Sequence, residues 1–92
     1  MTEKVSSVKI IKIISLTNNL VLISQIEEVG ADIGEPDCKL INPFVIKSGR
    51  MLEPFLCEYT KQNEFMMSSD KILTLADPTP TLLEKYEDLI KE

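Results

Sequence analysis

The fold is decided early in the chain, by the stretch VKIIKIISL at residues 8–16. Most of its apolar side chains branch at Cβ, which restricts them in a helix and suits them to a pleated strand. They stand at both even and odd positions, so both faces of the extended chain are apolar. A strand covered on both faces is typical of a packed or closed sheet. The stretch therefore predicts the first strand of a small β-barrel or sandwich.

Further strands follow at intervals of about ten residues, which is the spacing of small all-β domains. The Asn-containing turn at 17–19 suits a tight hairpin, and two glycines and a proline mark 30–37 as a loop. Pro43 bends the third strand, and Pro54 makes the fourth an edge strand, because proline cannot donate to a ladder. The predicted second to fifth strands are residues 20–29, 39–46, 51–59 and the two halves 65–67 and 72–75, which are interrupted by 68–71.

The C-terminal segment changes to helical periodicity. Thr79 is a good N-cap and Pro80 suits the first helical position. An apolar stripe follows at helical spacing, formed by Leu82, Leu83, Tyr86, Leu89 and Ile90. Glu87 and Lys91 are spaced to pair on the opposite side. The sequence thus predicts a flexible tail at 1–7, the β-domain at 8–76 and a capped helix at 77–92.

Composition limits the classes of partner and compartment. The net charge is −5, the pI is about 4.7, and Arg50 is the only arginine. Such a balance argues against a broad phosphate-binding face and against docking on an anionic membrane. The N-terminal residues lack the features of an export signal, and no apolar run is long enough to cross a bilayer. We expect a cytoplasmic protein in which Cys38 and Cys57 are buried thiols.

The chain shows no pattern of catalytic or metal-binding residues. Histidine is absent, which removes the commonest general base and the commonest metal ligand. The two cysteines lack zinc-finger spacing, and Asp32, Glu35 and Asp37 lack the alternation of a calcium loop. The three glycines match neither nucleotide-binding fingerprint. The sequence predicts a non-enzymatic protein without metal, cofactor or small-molecule substrate.

A few basic residues lie near aromatic ones, and they permit two interpretations. The basic residues that flank turns and strands are Lys47, Arg50, Lys61 and Lys71. Phe65 and Tyr59 lie near them in sequence and could offer a ring on which a nucleobase stacks. Alternatively, these lysines keep turns soluble and the aromatic rings pack in the core.

The order of the elements, together with the pattern FMMSSDKILTL at 65–75, resembles the Sm-like (LSm and Hfq) family, and most closely the small Sm-like proteins of cyanophages and marine metagenomes. Four short motifs carry the likeness: VKII at 8–11, TNN at 17–19, LINPFVI at 40–46 and LEPFL at 52–56. The resemblance implies a strongly bent five-stranded barrel, here with an added C-terminal helix. It also implies homo-oligomeric rings, for which we expect five to seven subunits.

In such rings the fourth strand of one subunit pairs with the fifth strand of the next. The resemblance therefore implies an interface at Leu52, Pro54, Leu56, Phe65, Met67 and Leu73. It also implies single-stranded RNA as a ligand, contacted by Ser68, Ser69, Asp70, Lys71 and Phe65, in a phage-type regulator acting in a bacterial host. Ser68 and Ser69 stand where RNA-binding members carry an Arg-Gly turn. The alternative function is an oligomeric protein-interaction scaffold that does not bind RNA.

Overall fold

The computed structural model describes residues 10–48 and 51–91. The predicted tail at 1–7 and the predicted turn residue Arg50 lie outside the described residues. The elements in the described part are β1 (Ile11–Leu16), β2 (Val21–Glu28), β3 (Cys38–Lys47), β4 (Met51–Pro54), β5 (Glu64–Met67), β6 (Ile72–Ala76) and α1 (Pro80–Ile90), with a 3-10 turn at Ser69–Lys71. The predicted β-rich domain with a C-terminal helix is confirmed.

All pairings in the described sheet are antiparallel, and the strand order is β4-β3-β2-β1-β6. β3 is long enough to hold two partners on one side. Its first half, Cys38–Ile41, pairs with β5, and its second half, Phe44–Lys47, pairs with β4. β4 and β5 therefore follow each other along one edge, while β6 forms the opposite edge. Within the described residues, the sheet does not close on itself.

The hairpin between β1 and β2 forms where the sequence predicted it. Asn19 has φ of 70°, a left-handed conformation that asparagine tolerates well. The Leu16 amide donates to the Leu20 carbonyl at 2.9 Å, and the Asn18 side chain accepts from the Leu20 amide at 3.1 Å. These bonds fix the register in which Ile14 lies opposite Leu22.

The main core lies on one side of β1, β2 and the first half of β3. Its buried members are Ile14, Leu16, Leu22, Ile26, Cys38 and Leu40. Ile23 is also fully buried, although it alternates with Leu22 along β2. β2 is thus covered on both faces over its first half, which explains the continuous apolar run at 21–23.

The helix docks through Tyr86, whose side chain is fully buried. Thr79 caps the helix by accepting from the Leu82 amide at 3.3 Å, and Pro80 is the first helical residue, as predicted. The Tyr86 ring meets Phe44 edge-on, with 5.8 Å between centroids. The stripe is covered only in part, because Leu89 remains 50% exposed. Lys91 pairs with Asp88 at 3.6 Å, so the predicted pair with Glu87 is wrong.

The fourth strand ends five residues earlier than the sequence predicted. After Pro54 the chain turns, and the amides of Tyr59 and Thr60 both donate to the Leu56 carbonyl. Leu56 itself has φ of 58°. The strand stops because proline offers no donor and the turn satisfies the following amides locally. Cys57 lies in this turn and is exposed, so the prediction of two buried thiols holds only for Cys38.

The predicted fifth strand is two strands with different partners. β5 pairs with β3, whereas β6 pairs with β1. The 3-10 turn at Ser69–Lys71 redirects the chain between them. The described sheet therefore has six strands rather than five.

Candidate functional site

The turn at 68–71 contains four of the predicted RNA-binding residues, and a carboxylate already occupies its main donors. The backbone amide of Ser69 donates to Asp37 Oδ1 at 2.7 Å, and its hydroxyl donates to Asp37 Oδ2 at 2.8 Å. These bonds lower the pKa of Asp37, the hydroxyl contributing most. An incoming phosphate would have to displace a carboxylate that is charged at neutral pH.

The other residues of this turn add little positive charge. Ser68 is half-buried, while Asp70 and Lys71 are exposed. The Lys71 carbonyl accepts from the Thr17 amide at 3.0 Å, which ties the turn to the β1–β2 hairpin. Lys71 forms no ion pair within the described residues, so its ammonium is available to a ligand. Phe65, the fifth predicted residue, packs edge-on against Phe55 and lines a cavity in which the turn takes no part.

The predicted interface residues differ in their surroundings. Leu73 on β6 is 65% exposed, as an interface residue would be in a free subunit. Met67 instead packs against the core of its own chain. Pro54 and Leu56 are exposed at the end of β4, whereas Leu52 and Phe65 are half-buried.

Three exposed apolar residues on the edge strands were missed by sequence reasoning, and the most exposed of them is Met51 on β4, at 64%. Leu75 is 48% exposed on β6, and Met66 is 51% exposed on β5. Leu75 alternates with Leu73 at a spacing of two, which could have identified it. Beside β6 lies an apolar cavity of about 420 Å³, lined in part by Ile10, Ile72 and Leu75.

A second cavity lies where β3 bends, and sequence reasoning missed it as a unit. Its volume is about 330 Å³. Aromatic rings and polar side chains together line it, among them Phe44, Phe55, Phe65, Asn42, Lys61 and Asn63. The register of β2 against β3 shifts at this point, and Asn42 has φ of 54°. The only local signal is Asn42-Pro43, which interrupts an apolar strand.

Backbone hydrogen bonds hold the two sides of this cavity together. The Asn42 amide donates to the Asn63 carbonyl at 2.7 Å, and the Phe55 amide donates to the Pro43 carbonyl at 2.9 Å. The phenol of Tyr86 donates to the Asn42 carbonyl at 2.9 Å from the helix side. The bend of β3, the segment after β4 and the helix therefore fix the cavity jointly.

All three lysines in the described strands form ion pairs. Lys12 pairs with Asp77, Lys39 pairs with Glu64 at 3.3 Å, and Lys47 pairs with Glu53 at 2.6 Å. The bond to Lys47 is the main reason why the pKa of Glu53 is lowered. Within residues 10–48 and 51–91, no group of three or more acidic or cysteine side chains is arranged to hold a metal ion.

Comparison with known proteins places the chain in a family without assigning an activity. In the described part of the chain, no helix has the length and apolar character needed to cross a bilayer. No curated protein matches the sequence. One family model, described as a family of unknown function (DUF6561), matches residues 9–91. Because this match spans almost the whole chain, the protein belongs to the DUF6561 family.

Proposed function

We propose that the protein is a non-catalytic, Sm-like subunit that assembles with copies of itself into a ring. The observation that carries the proposal is the pair of open sheet edges with exposed apolar side chains. β6 pairs only with β1 in the described sheet, and β4 and β5 pair only with β3. Leu73 and Leu75 are exposed on one edge, and Met66 on the other.

The β6 edge lacks two of the features that keep sheet edges apart, charged residues and proline, although it is short and its register against β1 is irregular between Ser15 and Leu16. Its sequence, ILTLA, contains no charge and no proline. Unguarded edges pair readily with other strands through their free backbone groups. Burying a large apolar side chain contributes roughly 1.5–3 kcal/mol, so two half-exposed leucines add substantially to such pairing.

Pairing of unlike edges favours a closed ring. A contact between the β4–β5 edge of one copy and the β6 edge of the next is heterologous, and repeated heterologous contacts form a ring when the rotation closes. The long β3 with two partners and the short turn before β6 support an Sm-like subunit. We expect five to seven copies, which would also extend a core too small to be very stable alone.

We assign the ring a scaffold role toward partner proteins. Each subunit has a net charge of −5, and assembly multiplies this charge. The resulting field repels polyanions before any contact forms. The carboxylate of Asp37 on Ser69 adds a local obstacle to phosphate. The available ammonium of Lys71 favours single-stranded RNA as the second candidate ligand.

Edge pairing is tested by a charged substitution with a matched control. Leu75→Lys places a cation on β6, and Leu89→Lys places the same cation on the helix at nearly equal exposure, 48% against 50%. In sedimentation velocity, the parent chain and L89K should form one oligomer, and L75K should sediment as a monomer. A monomeric parent chain, or an L75K variant of parental size, contradicts the proposal.

The choice between partners is tested by anisotropy titrations with labelled oligo-U and oligo-A. A scaffold should bind neither at physiological salt, and any binding at low salt should disappear steeply as salt rises. Lys71→Gln should reduce that residual binding. Submicromolar affinity at physiological salt would establish RNA as the ligand and overturn the scaffold role.

A further inference from the structure

We infer that the cavity at the bend of β3 is a binding site for a nucleotide, a flat heteroaromatic base that carries a phosphate. This site is separate from the turn at 68–71, and the inference does not depend on ring formation. It rests on three features of the cavity: its aromatic walls, its two asparagine side-chain amides and its local charge.

The walls contain three phenylalanine rings that are held in place. Phe55 and Phe65 meet edge-on, with 5.4 Å between centroids and 74° between planes. Phe44 is held from behind by Tyr86, at 5.8 Å and 88°. All three side chains are half-buried, so part of each ring remains accessible from the cavity. Nucleobases stack on such rings with little dependence on sequence.

Two asparagines supply hydrogen-bonding groups at the same place. The backbones of Asn42 and Asn63 are joined by the 2.7 Å bond, while their side-chain amides form no hydrogen bond within the described residues. Each amide offers two donors on nitrogen and an acceptor on oxygen. That combination matches the edges of a nucleobase, which present donors and acceptors side by side.

The local charge of the cavity departs from that of the whole protein. Among the described residues that line it, Lys61 is the one that carries a charge, although the chain has 15 acidic residues. Three other cavities in the described part of the chain each include at least one glutamate. Three glutamates adjoin the lining in sequence: Glu64 pairs with Lys39 at 3.3 Å, Glu53 pairs with Lys47 at 2.6 Å, and Glu58 follows Cys57. Lys61 forms no ion pair within the described residues, so it can attract a phosphate.

The size and rigidity of the cavity also suit a small ligand. A volume of about 330 Å³ falls within the range of roughly 300–1,000 Å³ typical of small-molecule sites. The segment from Leu56 to Asn63 is fixed by its own bonds, including that from the Gln62 amide to the Thr60 hydroxyl at 3.0 Å. A preformed site loses little conformational entropy when a ligand binds.

The test is ligand-observed saturation-transfer NMR on the full chain, with adenosine monophosphate, adenosine and inorganic phosphate as probes. We expect the monophosphate to bind with strongest transfer to its base protons, adenosine to bind several-fold more weakly, and phosphate alone not to compete. Tri-adenylate distinguishes a nucleic-acid strand from a free nucleotide as the natural ligand. If the site binds strands, tri-adenylate should bind more tightly than adenosine monophosphate. If the site binds free nucleotides, tri-adenylate should bind no more tightly.

Matched lysine variants locate the site. Lys61→Gln should weaken monophosphate binding by about fivefold, the upper end for an exposed ion pair, and leave adenosine binding unchanged. Lys71→Gln makes the same change at the 68–71 turn and should have no effect. Asn63→Asp keeps the shape of the side chain and the backbone carbonyl but adds a negative charge. Because this charge repels the phosphate, the variant should not bind the monophosphate. Absence of transfer at millimolar monophosphate, or equal losses in K61Q and K71Q, would overturn the inference.

Discussion

The hydroxyl of Tyr86 is the most informative single group to remove. It accepts a hydrogen bond from the Gln25 amide at 3.2 Å and donates one to the Asn42 carbonyl at 2.9 Å. The Ile41 carbonyl, at 3.2 Å, is a second acceptor within reach of the same proton. These partners lie where the β2–β3 ladder changes register between Ile23 and Gln25. The phenol therefore replaces backbone bonds that the bulge leaves unmade, and Tyr86→Phe deletes it while keeping the ring.

The expected cost follows from the groups that lose their partners. One amide and one carbonyl become unsatisfied in a part-buried place, and each such loss costs about 1–3 kcal/mol. Because both groups are only part-buried, we expect the low end of the sum, a fall of about 2 kcal/mol in the free energy of unfolding for Tyr86→Phe. For a domain of this size, that corresponds to a fall in Tm of roughly 10 °C.

The measurement is thermal and urea unfolding followed by circular dichroism, at one fixed protein concentration so that any assembly contributes equally. Tyr59→Phe is the matched control, because Tyr59 is 81% exposed. It should leave Tm unchanged. Equal stability of Y86F and Y59F would refute the idea that the phenol bridges the bulge.

The same phenol predicts a pH dependence. Burial raises the pKa of Tyr86, so the folded state holds the phenolic proton more tightly than the unfolded state. The associated stability is fully present below the ordinary pKa of about 10 and is lost as the pH rises through the folded value. Urea midpoints measured across this range should fall more steeply for the parent chain than for Y86F, and parallel curves would contradict the assignment.

Further outcomes concern the turn, the helix and the thiols. Ser69→Ala should raise the pKa of Asp37 in an NMR titration, because it removes the hydroxyl bond that contributes most to the lowered pKa. The stability that Asp37 contributes is present above its ordinary pKa and is lost as the pH falls through the pKa of the folded state. An unchanged pKa would contradict the contact. Truncation after Pro78 deletes a fully buried tyrosine and should cost at least about 3 kcal/mol or abolish solubility, whereas an unchanged Tm would show the helix to be dispensable. One thiol, Cys57, is exposed and should react with Ellman's reagent in the native protein, whereas Cys38 should react only after unfolding; two thiols that react in the native protein would contradict the fold.

Local signals explain which elements could be predicted from the sequence. The β-branched run of β1, the Asn18-Asn19 hairpin and the Thr79-Pro80 helix start depend on the conformational preferences of a few adjacent residues. The end of β4 was missed because the apolar residues after Pro54 resemble a continuing strand. The left-handed Leu56 instead directs them into a turn.

Partner choice between distant segments could not be predicted in the same way. Nothing within residues 65–75 indicates that β5 joins β3 while β6 joins β1, because pairing depends on the whole sheet. The sequence identified Ser69 but not its carboxylate partner Asp37, which lies 32 positions earlier. The cavity at the bend of β3 was missed for the same reason, since its lining comes from separate segments.

Native mass spectrometry of the unmodified chain tests edge-to-edge assembly most directly, because it counts subunits without labels. Two unlike open edges predict a closed ring, observed as one species at five to seven times the subunit mass of 10.4 kDa. That mass should persist on dilution to micromolar concentration. A 10.4 kDa monomer at micromolar concentration, or an open-ended ladder of masses, would contradict the account.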